Sequence, residues 1–331
     1  MKPITNHNIL TIDQAIQAIN NHQVVAIPTE TVYGLFGLAN SPTAVKRVFE
    51  AKNRPADNPL ICHFWSLEQM LEYVEVPSPS TIFLIQQLCP APLTFVLNLK
   101  ANSPLAPCSA GLKTICCRIP NHPIALEILK KINIPLFGPS ANSSTRVSGV
   151  CVEMIAQDLG DKIAGIVDGG MPTIGLESTI INCLEHNQIK ILRSGIIGKK
   201  ELEQTLVSFP EIEIIENATT IHTTPGAKYR HYSPRTRVML ESNETKKLEP
   251  NQTYIGLIEH QNQIHDCNFI SFGSARDLNQ VASQLFLNLY QLDQKSLNEV
   301  ILLQTTWDFL STHQSSVAKA ITNRISKVLG L

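Results

Sequence analysis

The chain has 331 residues, 43% of them hydrophobic and 17% charged, which supplies core material for roughly two domains and excludes an intrinsically disordered chain. Lysines and arginines number 27 against 28 aspartates and glutamates, a formal charge of −1; the molecule as a whole is therefore no electrostatic binder of nucleic acid, and any basic site must be local. The opening MKPITNHNILTIDQ lacks the apolar stretch of a signal peptide, and no apolar run reaches the ~18 residues of a membrane span, so a cytoplasmic protein without a membrane segment is expected.

Thr11 opens a helix: its spacing to Gln14 suits a capping box, and Ile12, Ala15, Ile16 and Ile19 line one face. VVAIP, Val24 to Pro28, predicts a buried strand ended by proline, and TETVYGL the turn after it. Ala44 to Lys52 predicts a short helix. LTFVLNL (Leu93 to Leu99) and KTICCRI (Lys113 to Ile119) predict strands, HPIALEILKKI a helix, and IPLFGPSAN a strand running into a loop. STIINCL and IKILRSG predict two more strands, followed by a helix over Lys199 to Leu206. From about Ser208 to Arg237 the pattern turns irregular and reads as a long linker. Beyond it, TYIGLIE and VILLQT predict strands, while Ala275 to Leu292 and Val317 to Leu329 predict helices, the alternation of a small α/β domain with a parallel sheet. The eight cysteines show no CxxC pair and no metal-ligand spacing with histidine, and Cys116-Cys117 sit in an apolar run; reduced thiols fit best.

Four stretches concentrate polar chemistry at the ends of these elements. PTETVYG (Pro28 to Gly34) offers the hydroxyls of Thr29, Thr31 and Tyr33, which read a small polar ligand or simply form a turn. KNRPADNPL (Lys52 to Leu60) places Lys52 and Arg54 on a proline-stiffened turn; a solvated loop explains this, and so does a grip on a polyanion, since arginine makes planar charge-assisted bonds to phosphate or carboxylate. PSANSSTRVSG (Pro139 to Gly149) follows a strand with small hydroxyl residues that let backbone N–H groups approach an anion. GLESTI (Gly175 to Ile180) leads into a strand, and its glutamate can be a buried partner of a nearby arginine. Arg118 and Arg193 each close an apolar run and need an anion from the protein or from a ligand. No GxxxxGK[ST], GxGxxG, HExxH or nucleophile elbow is present. An enzyme built on these parts works by positioning and charge stabilisation rather than by a covalent nucleophile.

PTETVYGL, KNRPADNPL, GLKTICCRIP, FGPSANSS and GLESTI, in this order and spacing, resemble the YrdC-type L-threonylcarbamoyladenylate synthases, and TPGAKYRHYSPRTR followed by an α/β tail resembles their long two-domain form. The resemblance implies an α/β fold: a YrdC-like twisted mixed sheet with helices around a cationic basin (residues 1–207), a linker that acts as a lid (208–237), and a smaller Rossmann-like α/β domain (238–331). It implies that L-threonine, bicarbonate and ATP, with Mg²⁺, give threonylcarbamoyl-AMP and pyrophosphate. Downstream partner proteins then carry the threonylcarbamoyl group to the adenosine beside the anticodon of tRNA.

By the same resemblance, Lys52 and Arg54 are the catalytic cations. Thr29, His63, Arg118, Gly138 and Ser178 face threonine and its carbamate. Asn58, Thr114, Ser140, Asn142, Arg193 and the linker's Tyr229 join Lys52 and Arg54 on ATP, and no residue is assigned to a metal. Phe36, in YGLFGLA, departs from an expected glycine. Between Glu216 and Glu241 the linker has no acid, while Lys228, Arg230, Arg235 and Arg237 cluster with Tyr229, His231 and Tyr232. Such a segment closes over ATP or binds RNA by stacking and phosphate neutralisation. Direct tRNA contact is compatible with the reaction but not required by it, and a non-enzymatic RNA-binding module is the alternative function.

Overall fold

The threonine that opens the first helix explains its start. Thr11 Oγ1 accepts the Gln14 N–H at 3.3 Å, the Thr11 N–H donates to Gln14 Oε1 at 2.9 Å, and the helix runs Ile12–Asn20. The structure, a computed structural model, describes residues 9–216, 232–241, 251–265, 267–295 and 297–331. Among them, eleven strands form one mixed sheet. From one edge its main path runs Glu213–Ile215, Gln188–Arg193, Thr179–Asn182, Leu93–Leu99, Thr114–Arg118, Ile61–His63, Leu136–Phe137, Gly34–Leu38, Val25–Ile27 and Gly165–Ile166. The edge strand Glu213–Ile215 lies inside the stretch the sequence assigns to linker. It pairs in parallel with Gln188–Arg193.

Gly34–Leu38 is a fully buried strand where the sequence predicts a turn. Its glycines read locally as breakers, but packing requires them: a Cβ on Gly37 would stand 2.4 Å from Phe137 Cζ, and one on Gly34 2.6 Å from Phe36 Cε2. Phe36 itself is a core residue, packed with Ile27, Leu38 and Ile128. The helices Leu67–Tyr73, Pro79–Leu88, Val152–Leu159 and Gln304–Thr312 are additions to the expected set. Helices of this length are marginal in isolation, and tertiary packing completes them.

The C-terminal region holds a four-stranded sheet, Arg237–Leu240, Glu299–Leu302, Thr253–Gly256 and Asn268–Ser271, parallel throughout. Helices Leu278–Gln294, Gln304–Thr312 and Ser316–Leu329 accompany it. Its core is not self-contained. Val281, Leu285, Phe286, Leu289, Ile321 and Ile325 share one buried cluster with Val32, Val147, Val150, Met154 and Leu176 of the first domain. Those five lie in or just after the PTETVYG, PSANSSTRVSG and GLESTI stretches, so the second domain packs against the loops that these motifs form. No helix among the described residues is long and apolar enough to cross a membrane.

Candidate active site

Strands Ile61–His63 and Thr114–Arg118 run parallel with His63 beside Arg118, so both side chains emerge at the same sheet end. The PTET turn folds over that end. Thr29 Oγ1 donates to the Val32 carbonyl at 2.6 Å and lies 2.8 Å from Thr31 Oγ1; it shapes the turn from behind. Thr31 is the residue that faces Arg118, accepting from Nη1 at 3.0 Å. Arg118 Nη2 lies 2.7 Å from Glu30 Oε2, and both side chains are buried. This pair is Coulombic rather than aligned: Arg118 Nε and Nη2 and both Glu30 oxygens lack hydrogen-bond geometry. His63 is fully buried, and burial and then the Arg118 charge hold its imidazole well below the usual value, so it is neutral at pH 7. Its Nδ1 has no partner. Phe36 packs on the His63 ring at 4.8 Å, and a Cβ on Gly138 would lie 2.9 Å from His63 Cε1. Phe36 therefore backs the histidine.

The helix Pro42–Lys52 ends when Asn53 takes a left-handed conformation, φ 49°. That turn sends Lys52 inward, where it is 1% exposed. Its ammonium donates to the carbonyls of Ser140 and Asn142, the latter at 2.5 Å. Two of its three N–H donors thus brace the PSAN loop. Burial first, and Arg54 second, push its pKa well down. Arg54 donates to the carbonyls of Asn58 at 3.3 Å and Pro59 at 2.9 Å. Arg54 is only half-buried by exposure, yet surrounding protein atoms and then Arg193 lower it to about 10, still charged at neutral pH. The PSAN loop is tied a second time: Ser143 donates its N–H at 2.6 Å and its hydroxyl at 2.7 Å to Asp158. Asn142 spends its amide N–H groups on Ser143 and Arg146 carbonyls and leaves Oδ1 buried without a partner.

GLEST closes the ring. Arg193 donates from Nε to the Ser178 carbonyl at 3.0 Å and from Nη2 to Ser178 Oγ at 3.1 Å, and Ser178 Oγ lies 2.7 Å from Thr94 Oγ1. Glu177 accepts from Ser148 at 2.5 Å. Tyr232, at the linker's end, is buried against Phe286, ring centroids 5.2 Å apart. Burial and then Glu177 raise its phenol to about 12. A cavity of about 60 Å³ lies between these groups, lined by Thr31, Arg54, Arg118, Gly138, Ser140, Asn142, Arg146, Ser148, Glu177, Ser178, Arg193 and Tyr232 among others. A wider groove of about 480 Å³, with Arg47, Glu50, Asp161 and Lys162 on its walls, collects none of the motif residues. The motif residues gather at the smaller cavity.

Residues 17–195 match the Sua5–YciO–YrdC family model, described as telomere recombination, and residues 197–328 match the threonylcarbamoyl-AMP synthase C-terminal domain model. The chain belongs to the two-domain Sua5 type of this family. It is 33% identical to the threonylcarbamoyl-AMP synthase of Bacillus subtilis, over 96% of this chain and 93% of that protein. It is 33% identical to that of Pyrococcus abyssi, over 94% and 92%. The crystal structure of P. abyssi Sua5 complexed with L-threonine superposes with a TM-score of 0.81 at 31% identity, over 96% of this chain and 94% of that one. Escherichia coli YciO, at 21% identity and a TM-score of 0.52, shares the fold over 59% of this chain.

In this Sua5-type chain, Arg54, Arg118, Gly138, Ser140, Asn142, Ser178 and Arg193 converge on the cavity wall. Lys52, Thr29 and His63 stand directly behind that wall, and Asn58 holds Arg54 through its carbonyl. Thr114 is not brought to this wall: it begins the strand that Arg118 ends, paired across to Asn98. Tyr229 lies outside the described residues. The structure adds Thr31, Ser148, Glu177 and Tyr232 to the wall. Thr31 and Glu177 sit inside motifs and were visible in the sequence, but which hydroxyl of TET faces inward depends on how the turn folds.

Proposed function

We propose that this chain is an L-threonylcarbamoyladenylate synthase, making threonylcarbamoyl-AMP and pyrophosphate from L-threonine, bicarbonate and ATP. One observation carries the reading: five motif stretches from across the first domain meet at one cavity bearing four arginines and unsatisfied buried polar atoms, in a chain matched end to end by Sua5 proteins. Buried polar groups without partners need an explanation, and a polar ligand supplies one.

The amine of threonine and bicarbonate condense to a carbamate with loss of water; a carbamate oxygen attacks the α-phosphorus, and pyrophosphate leaves. Arg118 is the clamp for the amino-acid carboxylate: it lines the cavity, and its ion pair with Glu30 is close but not aligned as a hydrogen bond. Neutral His63 and Gly138 shape the wall beside it. Arg54 and Arg193 face the phosphates, where they stabilise charge that spreads over equatorial oxygens in the transition state. Lys52 acts from behind the wall, where its ammonium holds the Ser140 and Asn142 carbonyls and so sets the PSAN loop against the phosphates. The cationic basin of this reading is Arg54, Arg118, Arg146 and Arg193, with Lys52 behind them.

Among the described residues no cluster of three ligating side chains suited to a metal occurs, and the carboxylates nearest the cavity, Glu30 and Glu177, pair with Arg118 and Arg324. Mg²⁺ enters bound to the triphosphate, as part of the substrate. The first domain carries the chemistry, and the region from Arg237 onward forms the second domain. Downstream proteins take the threonylcarbamoyl group to tRNA. The deciding experiment is pyrophosphate release by the purified chain with ATP, bicarbonate and Mg²⁺. Release should depend on threonine and be much weaker with serine or no amino acid. Release independent of the amino acid, or none at all, overturns the assignment.

A further inference from the structure

The second domain sends one charged side chain into the first. Arg324, on helix Ser316–Leu329, is 0% exposed. A buried guanidinium needs several acceptors, and Arg324 finds most of them across the domain boundary. Nε donates to Glu177 Oε2 at 3.1 Å, Nη2 donates to the Glu177 carbonyl at 3.1 Å, and Nη1 donates to the Ser194 carbonyl. These contacts abut the substrate wall at two places. Ser178 follows Glu177 in the chain, Arg193 precedes Ser194, and Ser178 and Arg193 are bonded to each other. The Tyr232 ring lies 5.7 Å from the guanidinium and lines the same wall.

Charge makes the contact more than packing. Glu177 lines a cavity read here as a phosphate site. Its carboxylate feels both Arg324 and Arg193. A buried carboxylate that loses its cation is left uncompensated, and the other cation acting on Glu177 is Arg193. We propose that Arg324 is a positioning residue of the synthase site: it holds the Glu177–Ser178 and Arg193–Ser194 backbones in register and occupies Glu177, so that Arg193 keeps its charge for the nucleotide. The second domain thereby completes the site without touching substrate. This rests on the synthase reading.

The test uses full-length protein. Arg324→Met is expected to raise the KM for ATP, and the Kd for ATP by titration calorimetry, at least tenfold, with a smaller change in kcat. Glu177→Gln in the same chain should recover most of that loss, because the uncompensated carboxylate is gone. Arg324→Lys, which keeps the charge but cannot fork across both backbones, should fall between. If Arg324→Met lowers the melting temperature while KM and Kd for ATP stay at wild-type values, the residue only packs the domains and the proposal fails. If Arg324→Met does not fold, the double variant and Arg324→Lys decide it; wild-type Kd in Arg324→Lys together with uncorrected weak binding in the double variant overturns it. Wild-type protein that binds ATP but releases no pyrophosphate overturns the synthase reading alone, since the titrations still report on Arg324. Wild-type protein that does not bind ATP overturns both.

Discussion

Around the cavity, Glu30, His63, Arg118 and Asn142 each keep at least one buried polar atom without an aligned partner. Such groups cost stability in the free protein and recover it when a ligand supplies the missing bond. His63 makes this measurable. Its folded-state pKa is depressed below the usual 6.5, by burial and then by Arg118. Below about pH 6.5 the unfolded chain therefore takes up a proton that the folded chain refuses. Stability falls as pH drops, by up to about 1.4 kcal/mol per pH unit for one proton. His63→Gln should lose less stability than wild type between about pH 6.5 and 5.5; parallel denaturation curves for the two proteins across that range would refute a neutral buried imidazole. Arg54 carries a different expectation. A charge-assisted contact is worth about 1.5–3 kcal/mol, so Arg54→Ala should lower kcat/KM for ATP roughly 10–150-fold, with Arg54→Lys partly restoring it. Unchanged kcat/KM in Arg54→Ala would remove Arg54 from the phosphate grip.

At the scale of elements, the site is assembled where loops are forced into place by neighbours. GLEST begins at Gly175, φ +72°, and a Cβ there would lie 2.5 Å from the Ser283 backbone on helix Leu278–Gln294. Both the left-handed conformation and the contact demand glycine. Gly175→Ala is expected to destabilise the protein by about 2–3 kcal/mol, since helix or loop must move, and to weaken threonine binding through the adjoining Ser178. A melting temperature equal to wild type would show that the two elements do not approach this closely. Much of the element pattern was legible beforehand. Leu93–Leu99 and Thr114–Arg118 stand where their β-rich apolar runs predict them, and Thr11 marks the start of the first helix by its capping chemistry. IPLFG likewise holds the strand Leu136–Phe137 that it predicts, whereas Ile61–His63 and Gly165–Ile166 were not legible as strands. Strands this short exist because long-range partners hydrogen-bond to them, and local sequence does not record that.

At the scale of the molecule, Val32, Val147, Val150, Met154 and Leu176 share one buried cluster with Phe286, Leu289 and Ile321, so the two domains are expected to unfold together. Scanning calorimetry of the full chain should show a single transition with matching calorimetric and van't Hoff enthalpies. A fragment ending at Glu216 should bind a hydrophobic dye and self-associate, because it bares that apolar surface. Two resolved transitions, or a monomeric fragment silent toward the dye, would show that the first domain stands alone.

By itself the sequence determined the family, the two-part layout, most helix and strand positions, and the motif residues that meet at the cavity, because each of these is written in short-range pattern: periodicity, caps and residue type at fixed spacing. Tertiary structure alone decided which of those residues face the cavity and which stand behind it. Thr29 turned inward to shape its own loop while Thr31 met Arg118, Lys52 spent two donors on the PSAN carbonyls, and Thr114 stayed at the far end of the strand that delivers Arg118. It also decided that Glu177 pairs with Arg324, 147 residues away in the chain. Such pairings depend on which surfaces bury against each other, and burial is a property of the folded whole.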